Sequence, residues 1–290
     1  MLENIKSPYI SKLLFSKLDE KIKLGIIKYN QKLKNKINIS LINYKFFSQS
    51  YIEYETNRKG KEYNYEGELI FEGEYLNRKR NGKGKEYNYD NILIFEGEYL
   101  NGKRNGKGKE YNKYGDLIFE GEYLIGEMWN GKFKYYNYEG ELVFEVEILN
   151  GKYNGKVKEY YYNGKLKFEG EYINDCKWNG KGFEKNGTLL YTLNNGNGKV
   201  KEYDYEGTLG FEGEYLNGQR NGKGKEYYEG KLIFEGEYLN DLKNRKGKEY
   251  YENKLIFEGE YLNGEKWNGK GFDNGENIIY ILINGKGRVI

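Results

Sequence analysis

Hydrophobic and polar residues alternate along short segments of this chain, and the alternation recurs every 20 to 25 residues. In Leu93–Leu100, the residues Phe95, Gly97 and Tyr99 fall on one face, and glutamate and aliphatic residues fall on the other. This period of two predicts a β-strand. Residues 107–111 predict a second strand, and the segment before them contains two Asn-Gly pairs, which suit the positive φ angles of a hairpin loop. We therefore predict that the repeating element is a β-hairpin.

The hairpin pattern repeats through residues 48–290. Its first aromatic residue recurs at Phe71, Phe95, Phe119, Phe144, Phe168, Tyr191, Phe211, Phe234, Phe257 and Tyr280. The predicted fold is mainly β, an elongated single-layer antiparallel β-meander. With two strands per hairpin and a strand spacing of about 4.8 Å, the hairpins would form one sheet on the order of 100 Å long. A glycine recurs between two aromatic positions on one face, which suggests that a neighbouring ring lies over the bare backbone.

Residues 1–47 have a different pattern. Apolar residues recur there at helical spacing among lysines, for example Ile10, Leu14 and Leu18, which predicts a short α-helical N-terminal segment. Such a segment could cap the open edge of the first hairpin, as repeat arrays generally need. We therefore divide the chain into a helical cap or docking segment, residues 1–47, and a hairpin array, residues 48–290.

The composition argues against catalysis and against nucleic-acid binding. The 48 basic and 45 acidic residues are interleaved and leave a net charge of +3, so no overall basicity favours nucleic acid. Histidine is absent and Cys176 is the single cysteine, which excludes a His-based triad, a Cys/His metal site and a disulfide framework. Paired glutamates recur in nearly every unit, which indicates a solvated face rather than one special constellation. We expect a non-enzymatic protein without a cofactor.

The repeat resembles a known family. The resemblance to MORN repeats, the membrane occupation and recognition nexus motif, is carried by Phe95, Gly97, Gly102, Gly106 and Gly108. Phenylalanine replaces the usual first tyrosine of the family, and Tyr99 stands where tryptophan is common. This resemblance implies a twisted single-layer hairpin sheet that serves as a scaffold, a dimerisation surface or a membrane-associated module.

A second resemblance concerns the N-terminal segment. Pro8 followed by the run from Leu14 to Asp19 is similar to the start of an F-box, although the usual downstream tryptophan is missing. The similarity implies docking to a ubiquitin-ligase adaptor, with the hairpin array recruiting the substrate. Neither a signal-peptide core nor a membrane-spanning run is visible in this segment, so we expect an intracellular, cytoplasmic protein.

Aromatic residues form the first candidate interaction surface. Its members are Phe95, Tyr99, Phe119, Tyr123, Phe211, Tyr215, Trp129, Trp178 and Trp267. Each tryptophan precedes Asn-Gly-Lys, where Arg104 stands in the standard unit, and the following unit is trimmed or degenerate, as at Val146, which replaces a glycine. The tryptophans could cover exposed aromatic surface of that neighbour, or they could insert into a membrane interface or a partner.

Loop cations form the second candidate surface, a basic edge. Its members are Lys79, Arg80, Lys103, Arg104, Arg220, Lys223, Lys243 and Arg245. These cations could keep an aromatic sheet soluble, attract an anionic phospholipid surface or bind an acidic protein.

Three functions follow as hypotheses. The first is a protein-protein interaction scaffold whose partner is another protein or a second copy of the chain. The second is a peripheral membrane module that uses the basic edge and the tryptophans. The third is an F-box-like adaptor of a ubiquitin ligase.

Overall fold

The computed structural model describes residues 50–56 and 58–289. Within these ranges the chain forms strands throughout: β1 (Ser50–Tyr54), β2 (Lys59–Asn64), β3 (Leu69–Leu76), β4 (Lys79–Tyr87), β5 (Leu93–Leu100), β6 (Lys103–Tyr111), β7 (Leu117–Leu124), β8 (Glu127–Tyr136), β9 (Leu142–Leu149), β10 (Lys152–Tyr160), β11 (Leu166–Ile173), β12 (Cys176–Phe183), β13 (Leu189–Leu193), β14 (Gly198–Tyr203), β15 (Leu209–Leu216), β16 (Gln219–Tyr228), β17 (Lys231–Leu239), β18 (Leu242–Tyr251), β19 (Lys254–Leu262), β20 (Glu265–Phe272), β21 (Ile278–Ile283) and β22 (Lys286–Val289). The predicted N-terminal helical segment and its F-box-like motif lie outside the described residues.

The strands form two open antiparallel meanders, β1–β13 and β14–β22, in which each strand pairs with its neighbours in the chain. The prediction of a mainly β hairpin meander is confirmed. The prediction of one continuous sheet is wrong, because pairing is interrupted between β13 and β14. The pairing in that connection is limited to an isolated bridge between Asn194 and Asn197.

The described chain divides into two compact units. One contains the residues through Asp116 together with Leu124–Gly126, and the other contains Leu117–Tyr123 together with the residues from Glu127 onward.

Asparagine or aspartate side chains build the turns that return one hairpin to the next. The Oδ1 atom of Asn64 accepts hydrogen bonds from the backbone N–H groups of Glu66 at 3.0 Å and Glu68 at 2.9 Å. Asn88, Asn112, Asn137, Asp204 and Asp273 make the same pair of contacts in later turns. Side-chain acceptors of this type favour turns over continued strand, so each hairpin ends at a defined residue.

The core consists of phenylalanine rings laid on glycine backbone. A Cβ atom built on Gly236 would lie 2.6 Å from Cζ of Phe234, and one built on Gly247, on the next strand, would lie equally close to the same ring. The ring therefore occupies the space of two absent side chains. Each such ring is at most 1% exposed: Phe71, Phe95, Phe119, Phe168, Phe211, Phe234 and Phe257. This packing explains the recurrent glycine that the sequence showed.

One hairpin has a valine in place of the glycine beneath the aromatic ring. Val146 replaces the glycine on β9, and it is paired with Phe133 on β8 and with Val157 on β10. Phe144 is half-buried, unlike the buried first phenylalanines, and its ring lies at 59° to that of Phe133, with centroids 6.4 Å apart. In this hairpin a side chain at the glycine position thus accompanies a less buried first ring.

Candidate functional site

The predicted aromatic surface lies largely inside the protein. Phe95, Tyr99, Phe119, Tyr123 and Phe211 are buried, and Tyr215 is half-buried. The buried phenylalanines meet tyrosines edge-on, which is a favourable geometry for aromatic pairs; the rings of Phe119 and Tyr123, for example, have centroids 5.1 Å apart and planes 83° apart. These rings contribute to the core of the sheet rather than to a surface that a partner could contact directly.

Half of the predicted basic edge covers these rings. Four cations lie over four rings at 4.0 to 4.3 Å: Arg80 over Phe71, Arg104 over Phe95, Arg220 over Phe211 and Lys243 over Phe234. A cation at this distance from a ring centroid is attracted by the ring quadrupole. The other four members of the basic edge, Lys79, Lys103, Lys223 and Arg245, are exposed.

The covering cations alternate with carboxylates. Glu226 lies between Arg220, at 3.0 Å, and Lys243, at 3.4 Å. We call this row of alternating charges on the aromatic face the ion ladder. In the first of the two compact units, the ion ladder contains Glu62, Arg80, Glu86, Arg104 and Glu110. In the second compact unit, one stretch of the ion ladder contains Glu202, Arg220, Glu226, Lys243, Glu249 and Lys266. Burial opposes the charge of Arg80, but Glu62 and Glu86 outweigh that effect and raise its pKa.

The ion ladder gives a test with matched variants. Replacing Arg220 by methionine removes the charge above Phe211 and leaves Glu202 and Glu226 with one cation fewer, so we expect a loss of about 2 kcal/mol in the free energy of unfolding. Replacing it by lysine is expected to cost less than about 1 kcal/mol, because Lys243 and Lys266 occupy the same place over their rings. Urea unfolding measures both variants, and equal losses would show that the charge does not matter.

A buried ion cluster, which the sequence did not reveal, continues the ion ladder on β10–β12. Glu159 is 4% exposed; its carboxylate lies 3.0 Å from Lys177 and 3.3 Å from Lys167, and it accepts a hydrogen bond of 3.0 Å from the hydroxyl of Tyr172. Burial alone would raise the pKa of Glu159, but the two ammonium groups hold it below its usual value. Burial and the neighbouring Lys177 lower the pKa of Lys167, although Glu159 opposes them. A signal did exist in the sequence: Lys167 precedes the first phenylalanine where most other units have an aliphatic residue.

Trp178 and Trp267 occupy bulges in β12 and β20. The sequence placed them at the position of Arg104, but the register places Lys177 opposite Tyr172, just as Arg104 is opposite Tyr99. Trp178 follows as the residue skipped by the pairing. The carbonyl of each tryptophan accepts a hydrogen bond of 2.7 to 2.9 Å from a turn glycine of the following unit: Gly151 for Trp129, Gly196 for Trp178 and Gly285 for Trp267. Trp129 and Trp178 are half-buried, whereas Trp267 is 36% exposed.

A groove of about 930 Å³ runs over the opposite face of the second meander. Glycine backbone lines its floor, and charged side chains line it in bands, because each strand contributes two residues of one sign. Lys199 and Lys201 form the first band, Glu212 and Glu214 the second, and the sign then alternates through Lys223 and Lys225, Glu235 and Glu237, Lys246 and Lys248, and Glu258 and Glu260. Neighbouring bands face each other in the register, as Lys225 faces Glu235.

The described residues contain neither a candidate metal cluster nor a candidate membrane-spanning helix. Histidine, cysteine, aspartate and glutamate nowhere form a group of three or more that could hold a metal ion. In the part of the chain that the structure covers, no helix is long and apolar enough to cross a membrane.

Comparison with known proteins adds little. Neither a protein-family model nor a curated protein matches this chain. The crystal structure of TcdB2-TccC3-TEV is 14% identical, with a TM-score of 0.19, and the match covers 77% of this chain and 15% of that one. The Tc holotoxin pore of Photorhabdus luminescens is 13% identical, with a TM-score of 0.19, and the match covers 92% of this chain and 16% of that one. A protein of unknown function from Bacteroides caccae is 8% identical, with a TM-score of 0.20, and the match covers 80% of this chain and 92% of that one. This chain thus spans less than a fifth of either of the first two chains, and likenesses at this level carry no argument about function.

Proposed function

We propose that this chain is a non-enzymatic scaffold that binds a segment of another protein in the groove of the second meander. The observation that carries the proposal is the groove itself, whose glycine floor permits close approach of a ligand and whose walls carry ordered charge. The MORN-like sequence pattern agrees with a scaffold, because arrays of that family serve as scaffolds.

The charge bands favour a partner whose own charges alternate in sign. Successive strands lie about 4.8 Å apart, so bands of the same sign recur about every 9.6 Å. An α-helix rises about 1.5 Å per residue, so three residues span about 4.5 Å. A helix with alternating blocks of three acidic and three basic residues would therefore place opposite charges over successive bands. We propose a helical segment of this kind as the occupant.

Two synthetic peptides of identical composition test this proposal. In the first, blocks of three glutamates and three lysines alternate four times; in the second, glutamate and lysine alternate singly. Fluorescence anisotropy should show the block peptide binding at least about tenfold more tightly, and the difference should shrink as salt screens the charges. Equal affinities, or binding that salt does not weaken, would contradict the proposal.

A charge swap within the groove provides the matched variant. Lys225→Glu combined with Glu235→Lys keeps opposite charges at these two register partners and preserves the net charge, but it breaks the order of the bands. We expect it to abolish the preference for the block peptide. The control is Glu229→Lys combined with Lys231→Glu, a swap of the same kind at an exposed turn that does not line the groove. The control should bind like the parent chain.

Binding to an anionic lipid surface is the alternative to peptide binding, and it is tested on the same protein. Only four members of the predicted basic edge are exposed, since the others belong to the ion ladder, so the structural support for lipid binding is weaker. Phosphatidylserine vesicles serve as the probe. Vesicle binding that is lost on neutralising Lys79, Lys103 and Arg245, which do not line the groove, together with no preference for the block peptide, would favour the membrane function. Self-association and docking to a ubiquitin-ligase adaptor stay predictions.

A further inference from the structure

The ion ladder of the second unit is interrupted at one position. In complete hairpins the first phenylalanine is paired across the strands with a ladder carboxylate, as Phe211 is with Glu226 and Phe234 is with Glu249. Phe168 is paired with Gly182 instead. Lys177, which lies 4.6 Å above the ring of Phe168, therefore lacks the carboxylate of its own hairpin and is paired with Glu159 of the preceding one.

The next hairpin lacks its cation. Tyr191 takes the place of the first phenylalanine, and residues 189–198 contain no charged side chain. The ring of Tyr191 rests on Gly182, where an added Cβ atom would overlap it. Glu202, the carboxylate of this hairpin, is paired with Arg220 of the following one. Between Lys177 and Glu202 the ion ladder thus omits one negative charge and then one positive charge.

A cavity of about 210 Å³ lies at this interruption. Both ends of the broken ion ladder, Lys177 and Glu202, line it, together with Lys167 and aromatic side chains that include Tyr191 and Phe183. Lys201 also lines the cavity, but its ammonium group is paired with Glu212 at 3.5 Å. Among the described residues, no ion pair joins Lys177 to Glu202. The cavity is smaller than a site for a drug-sized ligand, which usually has about 300 Å³ or more, but it has room for a small polar molecule.

The charges at the two ends differ in sign. Lys167 and Lys177 share the single carboxylate of Glu159, so this end of the cavity favours an anion. At the other end, Arg220 is shared between Glu202 and Glu226, so Glu202 can accept a further cation. The ring of Tyr191 lines the same cavity, and a ring of this kind attracts a cation, as Phe211 attracts Arg220.

From this arrangement we propose that the cavity binds a free α-amino acid in its zwitterionic form. The carboxylate of the ligand takes the place of the missing ladder glutamate beside Lys177 and Lys167. Its ammonium group takes the place of the missing ladder cation, over Tyr191 and beside Glu202. The bound ligand restores the alternation of charge between β12 and β14.

The end of the array offers a natural comparison. Phe257 is likewise paired with a glycine, Gly271, and Tyr280 rests on that glycine. Lys266 is paired there with Glu249, but no ladder carboxylate follows Tyr280 in the described residues. That position offers one charge rather than two, so it does not match a zwitterion.

The intact chain can be tested with complete amino acids and with small ions that carry only one of the two charges. Differential scanning calorimetry should show that millimolar L-alanine or L-serine raises the unfolding temperature, because a ligand that binds only the folded state stabilises it. Acetate and methylammonium, each with one of the two charges, should give no shift beyond that of sodium chloride at the same ionic strength. The proposal is overturned if neither amino acid shifts the unfolding temperature, or if acetate alone shifts it as much.

Isothermal titration with two variants then locates the site. Glu202→Gln should weaken amino-acid binding at least about tenfold, since a charged hydrogen bond is lost. Glu226→Gln removes the ladder carboxylate of the next hairpin, which has two cation partners and does not line the cavity, so it should bind normally. Equal weakening in the two variants would refute the site. If Glu202→Gln does not fold, Tyr191→Leu serves instead, and unchanged binding in that variant would count against the proposal.

Discussion

Replacing Gly236 by alanine is expected to destabilise the protein by about 3 kcal/mol. The added methyl group would lie 2.6 Å from the ring of Phe234, 2.7 Å from the carbonyl oxygen of Lys246 and 2.8 Å from Cα of Gly247. Two of these contacts are with backbone, which cannot move without breaking the pairing of β17 and β18. The ring would have to leave a site in which it is fully buried.

Gly210→Ala is the matched control for Gly236→Ala. Gly210 lies on β15 of the same meander, and an added Cβ atom would meet only the carbonyl oxygen of Glu202, at 3.7 Å. Alanine there should change the free energy of unfolding by less than about 0.5 kcal/mol, or stabilise the protein slightly by restricting the unfolded chain. Urea unfolding followed by circular dichroism compares the two variants. Equal effects would mean that the rings are not held by contact with glycine.

Replacing Glu159 by glutamine is expected to lower the free energy of unfolding by about 3 kcal/mol. The variant leaves the half-buried ammonium groups of Lys167 and Lys177 without the carboxylate that they share, and such uncompensated charge is costly in a low-dielectric site. Glu169→Gln is the control, because Glu169 lies on the opposite face and faces Lys158 and Lys181 across the strands. We expect it to cost less than about 0.5 kcal/mol.

The Glu159 effect should depend on pH. The folded-state pKa of Glu159 lies below its unfolded value, so its stabilisation is fully present above the unfolded pKa and is lost as the pH falls through the folded one. The difference in unfolding temperature between the parent chain and Glu159→Gln should therefore be largest at neutral pH and shrink below about pH 4. A difference that stays constant with pH would show that the carboxylate charge is not what stabilises the cluster.

The fold was predictable from the sequence because its signals are local. Period-two alternation, Asn-Gly loops and the returning turns all act within one hairpin, and residues such as Phe95 and Gly97 repeat them nearly unchanged. The break between β13 and β14 was not predicted. Shortened loops were visible near Tyr191, but the loss of pairing depends on whether two particular strands still reach each other, which a repeat pattern does not encode.

The candidate surfaces were less predictable than the fold. Arg80 and Lys79 are adjacent loop cations in the sequence, yet Arg80 covers the ring of Phe71 and Lys79 is exposed. Only the register, which places Arg80 opposite Tyr75, separates them. The groove and the cavity are also products of register, because they depend on which charges face each other across strands that lie many residues apart in the chain.

Pairing between chain neighbours also bears on how such a protein changes over generations. Because each strand in a meander is aligned only with the strands before and after it, a whole hairpin can be gained or lost while every remaining register is preserved. Coding segments this similar invite unequal recombination, so related genes are expected to differ in the number of hairpins, in steps of one unit. A shortened hairpin such as the one at Tyr191 would be inherited as a position within the series, and with it any site that the shortening creates.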